Sequence, residues 1–392
     1  MIVMISISAQ KIVLQTFNFK RVGVNKMETK YVMVKKSLKH HIINGKYKIN
    51  EKIPTESELM AIYSVSRYTI RRAVGDLEHE GYIYRVQGGG MYVNDWINNK
   101  VRSERSNQSI GVITTHIADY IFPNIISGID QVISDAGYSL LLGNTHDEHD
   151  NERHNLLNML DNDVLGFIIE PPRSTLENPN LDVYQMIIQS GKPAVFINAH
   201  YPELDFPYVE VADTASEKKL MDYLLDHGHE RVLGVFQVDD MQGVNRMNGY
   251  IRSYQTHPNV ASSGDIMMYR SGDDINDVLR KIKNRVEVPD NARPTAIVCY
   301  NDQLAMEVIG MLGKEGFDIP GDISVAGFDD YEISKYINPG ITTMIHPKRL
   351  LGETAAKMLI DMINKKEHRS KVFDAELVVR DSTKAIDTTK TV

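Results

Sequence analysis

From Ser109 onward one unit repeats along the chain: a short apolar run, then an amphipathic stretch of helical period. The runs read "SIGVITT", "YSLLLGN", "LGFIIEPP", "AVFINAH", "RVLGVFQ", "TAIVCYND" and "ISVAGFDD". Continuously apolar strands alternating with helices are the pattern of parallel sheets covered on both faces, because each crossover must lay a helix over the sheet. This feature narrows the fold more than any other. Residues 109–384 are long for one such sheet and comfortable for two stacked lobes. The expected division is lobe 1 over about 109–210 and 346–368, and lobe 2 over about 211–345 and 369–384.

The runs close on hydrogen-bonding groups. Glu170, Asn198, Asn301 and Asp329 each stand at or just beyond the end of one. Ligands of open α/β sheets bind outside the carboxyl ends of the strands, so these positions face wherever a ligand would sit. Singly, each is more often a turn or cap residue; Asn301 is well placed to cap the helix after it. Converging on one cleft, they would make a polyol site. Carboxylates accept from adjacent hydroxyls, amides and Arg246 donate to ring oxygens, and the faces of Tyr120 or Phe122 cover C–H patches.

The first hundred residues have another character. They hold 16 Lys and Arg against 8 Asp and Glu, whereas the rest holds 28 against 44, within an overall charge of −8. A basic head on an acidic body suggests that only the head meets a polyanion. In "YVMVKKSLKHHIIN" the apolar residues Val34, Leu38 and Ile42 recur at helical spacing, and Gly45 follows. In "KIPTESELMAIY", Thr55 and Glu58 have the spacing of a capping box, which makes Glu58 structural. After a short turn at 63–65, Ser66 is a plausible N-cap for a second helix reaching to about Glu80. Ile70, Ala73, Val74 and Leu77 share its inner face; Tyr68, Arg71 and Arg72 point away, and Arg67 lies at the flank.

Arginines on a solvated face usually only solubilise. Three in the opening turns of the second helix of a helix-turn-helix stand where such helices meet base edges, and a guanidinium fork matches guanine O6 and N7. "YIYRV" and "MYV" alternate as strands do. Between them Gly88–Gly90 allow a tight turn and a close approach to a sugar–phosphate chain. The glycines open no helix, so they do not make a dinucleotide fingerprint.

Hydrophobic content of 42% and charged content of 24% are those of a soluble protein, and no apolar run is long enough to cross a bilayer. The single cysteine, Cys299, leaves no internal disulfide and fits a reducing cytoplasm. Residues 1–27 carry polar interruptions where a signal peptide needs an unbroken apolar core, and are read as a disordered extension. Residues 96–108 are polar and aperiodic and read as a linker. His227 and His229 in "DHGHER" lack companion ligands at useful spacing, so neither a metal nor a cofactor is expected. Adjacent pairs such as Asp239–Asp240 and Asp329–Asp330 fit caps or sugar acceptors better than acid/base pairs.

Over 28–95, "KIPTESELMAIYSVSRYTIRRAVGDLEHEGYIYRVQGGGMYV" resembles the DNA-binding head of the GntR family of bacterial regulators. The resemblance implies a winged helix-turn-helix that contacts DNA through Lys30, Glu56, Arg67, Thr69, Arg71, Gln87, Gly88 and Gly89. Tyr68 and Arg72 join these from the helix face. The segment 109–384 resembles the periplasmic-binding-protein-like effector domain of the LacI/GalR repressors, through "DYIFPNIISGID", "HGHERVLGVF", "NRMNGY", "IVCYNDQLAMEVI", "DISVAGFDD" and "ITTMIHPKRLLGETA". By motif this places Arg246, Asn301, Asp329 and His346 on the effector. Asn198 stands where many of those relatives have Asp, and that family's own head and hinge helix have no counterpart here. A GntR head on such a body resembles the L-arabinose repressors of bacilli. This implies a cytoplasmic homodimer, partnered by double-stranded operator DNA and a small sugar effector, L-arabinose; no residue spacing distinguishes arabinose from another small sugar, and a repressor responding to a different sugar or a non-sugar metabolite is one alternative. GntR heads are also fused to PLP-dependent aminotransferase-like bodies; that alternative needs a Schiff-base lysine with a phosphate loop, and no segment resembles one.

Overall fold

A computed structural model describes residues 30–86, 89–96, 109–260 and 263–386. The expected extension and most of the expected linker lie outside these residues. The chain divides into two compact units, 1–103 and 104–392.

In the first unit, helices α1 (Lys30–Ile43), α2 (Glu56–Tyr63) and α3 (Arg67–His79) are followed by the antiparallel strands β1 (Ile83–Val86) and β2 (Gly90–Val93). Val34, Leu38, Leu59, Ile70, Val74, Leu77 and Ile83 close one core. The capping box forms: the Thr55 hydroxyl accepts from the Glu58 amide, while Glu58 Oε2 accepts from the Thr55 amide at 2.7 Å. Ser66 caps α3 by accepting from the Thr69 amide at 3.3 Å. After α3, Gly81 adopts a φ of +73°, the left-handed conformation that lets the chain turn into the wing without a Cβ penalty.

The second unit holds two parallel sheets. In the six-stranded sheet the order is β13-β7-β6-β5-β3-β4, with β3 Ser109–Thr114, β4 Ser139–Asn144, β5 Phe167–Ile169, β6 Ala194–Ile197, β7 Tyr208–Val211 and β13 Lys371–Phe373. The four-stranded sheet runs β11-β10-β8-β9, with β8 Val232–Gln237, β9 Asp265–Tyr269, β10 Ala296–Cys299 and β11 Ser324–Ala326. A two-stranded antiparallel ribbon, β12 (Thr343–Ile345) with β14 (Glu376–Val378), joins segments where the chain passes between the lobes.

One expected boundary moves. The expected division places residues 371–373 in lobe 2, but β13 pairs with β7 at the edge of the six-stranded sheet. Its strand is only three residues long and mostly exposed, so its sequence carries no apolar run to announce it. Helix Lys348–Ile363 packs on helix Phe122–Asp135 at backbone distance. A Cβ on Gly128 would overlap the Arg349 carbonyl, and one on Gly352 the Ile125 carbonyl, so both positions require glycine. No described helix is long and apolar enough to cross a membrane.

The strand orders locate the crevices of the two sheets. From β3 the chain goes to β4 on one side and returns to β5 on the other. From β8 it goes to β9 and returns to β10. Loops therefore diverge beyond the carboxyl ends of β3 and β5 in one lobe and of β8 and β10 in the other, and each divergence leaves a crevice.

Candidate functional site

Both crevices open on one cavity of about 660 Å³. Thr115 beyond β3 and Glu170 beyond β5 line it from lobe 1; Gln237 at the end of β8 and Tyr300 and Asn301 beyond β10 line it from lobe 2. Tyr120, Phe122, Arg246 and Asp329 complete this group. The size lies within the range of small-molecule sites.

Arg246 is the centre of the electrostatics. Projecting from helix Met241–Thr256 and 2% exposed, it donates from Nε to Asp213 Oδ1 (2.9 Å), from Nη1 to the Tyr300 carbonyl (2.7 Å) and from Nη2 to Asp329 Oδ1 (3.1 Å). Its guanidinium lies 3.7 Å from the centroid of Phe328 and 5.0 Å from that of Tyr300, so two rings cover its faces. Burial opposes its charge, but Asp329 and Asp213 outweigh burial and hold it charged. Burial also pushes Asp213 up to about 6 against the pull of Arg246.

Tyr120, at a left-handed φ of +56°, comes from lobe 1 and reaches lobe 2. Its hydroxyl donates to Asp329 Oδ2 (2.7 Å) and accepts from the Asp302 amide (3.2 Å). Burial, then the Asp329 charge, push its phenol far up, so it stays a donor. A second bridge joins Ser174 Oγ to the Met241 amide (2.9 Å) and Thr175 Oγ1 to the Val238 carbonyl (3.0 Å). Asp240 accepts from Tyr300 Oη (2.6 Å) and caps its helix through the Gly243 amide; burial pushes it up to about 7.

Six of the eight expected effector residues line the cavity: Tyr120, Phe122, Glu170, Arg246, Asn301 and Asp329. Asn301 also caps its helix, its side chain accepting from the Leu304 amide at 2.9 Å. Asn198 and His346 depart from expectation, since neither is in the lining. Asn198 ends β6, one strand beyond the crevice, and its amide Nδ2 donates to Glu170 Oε1. His346 is 4% exposed and its amide meets the Asp329 carbonyl at 3.4 Å; burial pulls its imidazole down to about 4, so it is neutral at pH 7. Sequence reasoning did not single out Thr115, Arg173 and Tyr300, which line the cavity, or Asp213, which pairs with Arg246, and it weighed Asp240 as a cap or sugar acceptor. Thr115 and Tyr300 directly adjoin the ends of their runs and were findable by the same rule that found Glu170.

On the head, Arg67, Tyr68, Arg71 and Arg72 are exposed along α3, and Thr69 is half-buried with Oγ1 3.0 Å from Ser66 Oγ. Tyr68 is 74% exposed, an unusual position for a large ring. Arg71 Nε donates to Glu56 Oε2 at 3.0 Å, and Arg85 approaches the other oxygen at 3.7 Å. Glu56 thus orients a guanidinium rather than standing alone. The Arg72 guanidinium lies 4.0 Å over the Tyr31 ring, which anchors its stem. Lys30, Ser57, Ser66 and Thr69 share the rim of a shallow groove. In the wing, the Gly89 amide donates to the Val86 carbonyl (2.9 Å), and Gly90 has a φ of +113°. Gln87 and Gly88 lie outside the described residues.

An exposed cationic recognition helix with a glycine-tipped hairpin, in the same chain as a two-lobed clamp with a polar cavity, defines the class: a ligand-responsive DNA-binding regulator. Residues 30–93 match the bacterial regulatory proteins of the gntR family, and residues 221–383 match the periplasmic binding protein-like domain. The arabinose metabolism transcriptional repressor of Geobacillus stearothermophilus is 38% identical over 91% of this chain and 98% of its own length. That of Halalkalibacterium halodurans is 35% identical over 91% of this chain and 97% of its own. A LacI family transcriptional regulator from Enterococcus faecium, solved with bound ribose, superposes with a TM-score of 0.62 at 22% identity. It covers 71% of this chain and 100% of that one, and shares the fold of the body. The chain belongs to the family of these arabinose metabolism transcriptional repressors.

Proposed function

We propose that this protein represses sugar-utilisation genes as a cytoplasmic homodimer and that L-arabinose, bound between the lobes, controls its grip on operator DNA. The observation that carries the reading is the Arg246–Asp329–Tyr120 chain of hydrogen bonds: a cavity lined by fixed donors and acceptors from both lobes rewards a small polyol that touches both. Arg246, Asp329, Glu170 and Asn301 supply the polar contacts, and Phe122 and Tyr120 the apolar ones. Arg67, Tyr68, Arg71 and Arg72, with Thr69, read the duplex. Lys30, Glu56 and the wing at Gln87, Gly88 and Gly89 secure the register. The whole-length kinship with repressors supports a regulatory role without catalysis.

Sugar affects DNA binding only as far as the two ligands prefer different arrangements of the same molecule. The coupling is reciprocal, so operator DNA weakens sugar binding by the same factor by which sugar weakens DNA binding. Isothermal titration of L-arabinose into the full chain, with and without a duplex selected for binding from a random library, tests this. Affinities that differ several-fold are expected. Equal affinities would remove the regulatory link, and no heat with any pentose would remove the sugar.

A further inference from the structure

Glu170 is held by an unusual set of neighbours. Its Oε2 accepts from both the Thr115 amide and the Thr115 hydroxyl, each at 2.9 Å, and its Oε1 accepts from Asn198 Nδ2 at 2.7 Å. A carboxylate offers about four lone-pair positions. Three are taken by protein donors, and the open one belongs to Oε1. Asn198 sits at a φ of +63°, a left-handed conformation that Asn tolerates better than most residues. Its own Oδ1 is buried with no partner. An unsatisfied buried oxygen is costly, so the position is held by something other than packing. Turning the amide over would set Oδ1 against the Glu170 carboxylate, which disfavours that orientation whenever Glu170 is charged.

We infer that Asn198 is a positioning residue for effector recognition: by donating to Oε1 it keeps Glu170 an acceptor with one free lone pair directed at a ligand hydroxyl. This rests on the reading of Glu170 as an effector contact. An Asp at 198 would put a second carboxylate at that 2.7 Å separation, and two such groups share one proton. Glu170 would then offer the ligand an O–H in part of the population, and recognition would turn on pH. Asn adds no second carboxylate, and its N–H favours the charged acceptor form of Glu170 instead. Burial pushes Glu170 up to about 7, and the bonds from Thr115 and Asn198 pull against the rise. The other charged or titratable groups around it are Asp147, which raises it further, Arg173 on its own loop, and His116, whose Nδ1 is 3.2 Å from Thr115 Oγ1.

The test is titration of the full chain with L-arabinose from pH 5.5 to 8.5, comparing wild type, Asn198→Gly, Asn198→Asp, Glu170→Gln and the double variant Asn198→Asp/Glu170→Gln. Gly keeps the left-handed backbone and removes the whole amide side chain, the donor included. It is expected to weaken binding about tenfold to a hundredfold, the value of one hydrogen bond to a charged group. Asp is expected to steepen the pH profile and move its midpoint upward, and the Glu170→Gln background is expected to abolish that shift. If Glu170→Gln binds arabinose as wild type does, the assignment of Glu170 as a contact fails. If Glu170→Gln loses binding while both Asn198 variants keep the wild-type affinity and profile, the assignment stands and the role of Asn198 is refuted. Thermal melts without sugar identify any variant that fails to fold, and the remaining Asn198 variant then decides.

Discussion

Replacing Arg246 by Ala tests the electrostatic centre of the body, and the structure sets what to expect. The side chain is 2% exposed, bridges Asp213 and Asp329, and is covered by Phe328 and Tyr300. As a simple sugar contact it would be dispensable without ligand. As the cation between two buried carboxylates it is not: removing one partner of a buried ion pair costs about 3–5 kcal/mol. For a domain of this size that is a fall in Tm of roughly 6–20 °C. The loss also depends on pH. With Arg246 present, burial raises Asp213 to about 6, above its unfolded value, so its contribution is full below the unfolded pKa and is lost as pH rises through about 6. Without the guanidinium the carboxyl rises further and takes up a proton, and a neutral carboxyl needs no cation. The deficit of Arg246→Ala should therefore be larger at pH 8 than at pH 5. Thermal melts of the sugar-free chain, followed by circular dichroism at both pH values, measure it. A variant as stable as wild type at pH 8, or equally weakened at both, would refute the bridging role.

Arg71→Ala should weaken specific operator binding by about 1–3 kcal/mol in fluorescence anisotropy while non-specific binding changes little, as expected for a base contact. Glu56→Gln, which loosens the Arg71 guanidinium, should cost less than Arg71→Ala itself. Glu217 is wholly buried with neither carboxyl oxygen partnered, and burial pushes it up to about 8. Because that exceeds its unfolded value, it costs stability progressively as pH rises from about 4.5 to 8. Glu217→Gln should remove this slope and stabilise the body by up to about 3 kcal/mol at pH 7, read from melts between pH 5 and 8. Gly352→Ala would drive a methyl group into the Ile125 carbonyl and should destabilise by about 1–3 kcal/mol, with helix Lys348–Ile363 displaced from Phe122–Asp135.

What the sequence made legible is what short-range physics encodes. The Thr55–Glu58 capping box, the Ser66 cap, the inner face of α3 and the glycine after it are local devices, and each stands where its spacing puts it. Apolar runs disclosed seven of the ten described strands of the two parallel sheets for the same reason, and not β7, β9 or β13. Contacts made across the fold left no such trace: Arg246 and Asp213 are far apart along the chain, and nothing in "VADTAS" tells a buried ion-pair partner from a helix-capping Asp. The clearest case is the pair Glu170 and Asn198. Both end an apolar run, both are buried, and by sequence they are equivalent. They differ because the crevice lies between β3 and β5, so the residue ending β5 opens on the cavity, whereas the side chain of the residue ending β6 turns to its neighbour's carboxylate. Lobe 2 repeats this logic: the ends of β8 and β10 open on the cavity directly, and Asp329 reaches it only because the chain beyond β11 extends three residues to meet Arg246 and Tyr120. A polar residue at a strand end thus marks the carboxyl edge of the sheet, where Glu170 lines the cavity and Asn198 does not. Its rank there depends on strand order, which is set by pairing between distant segments and is written in no single stretch of the chain.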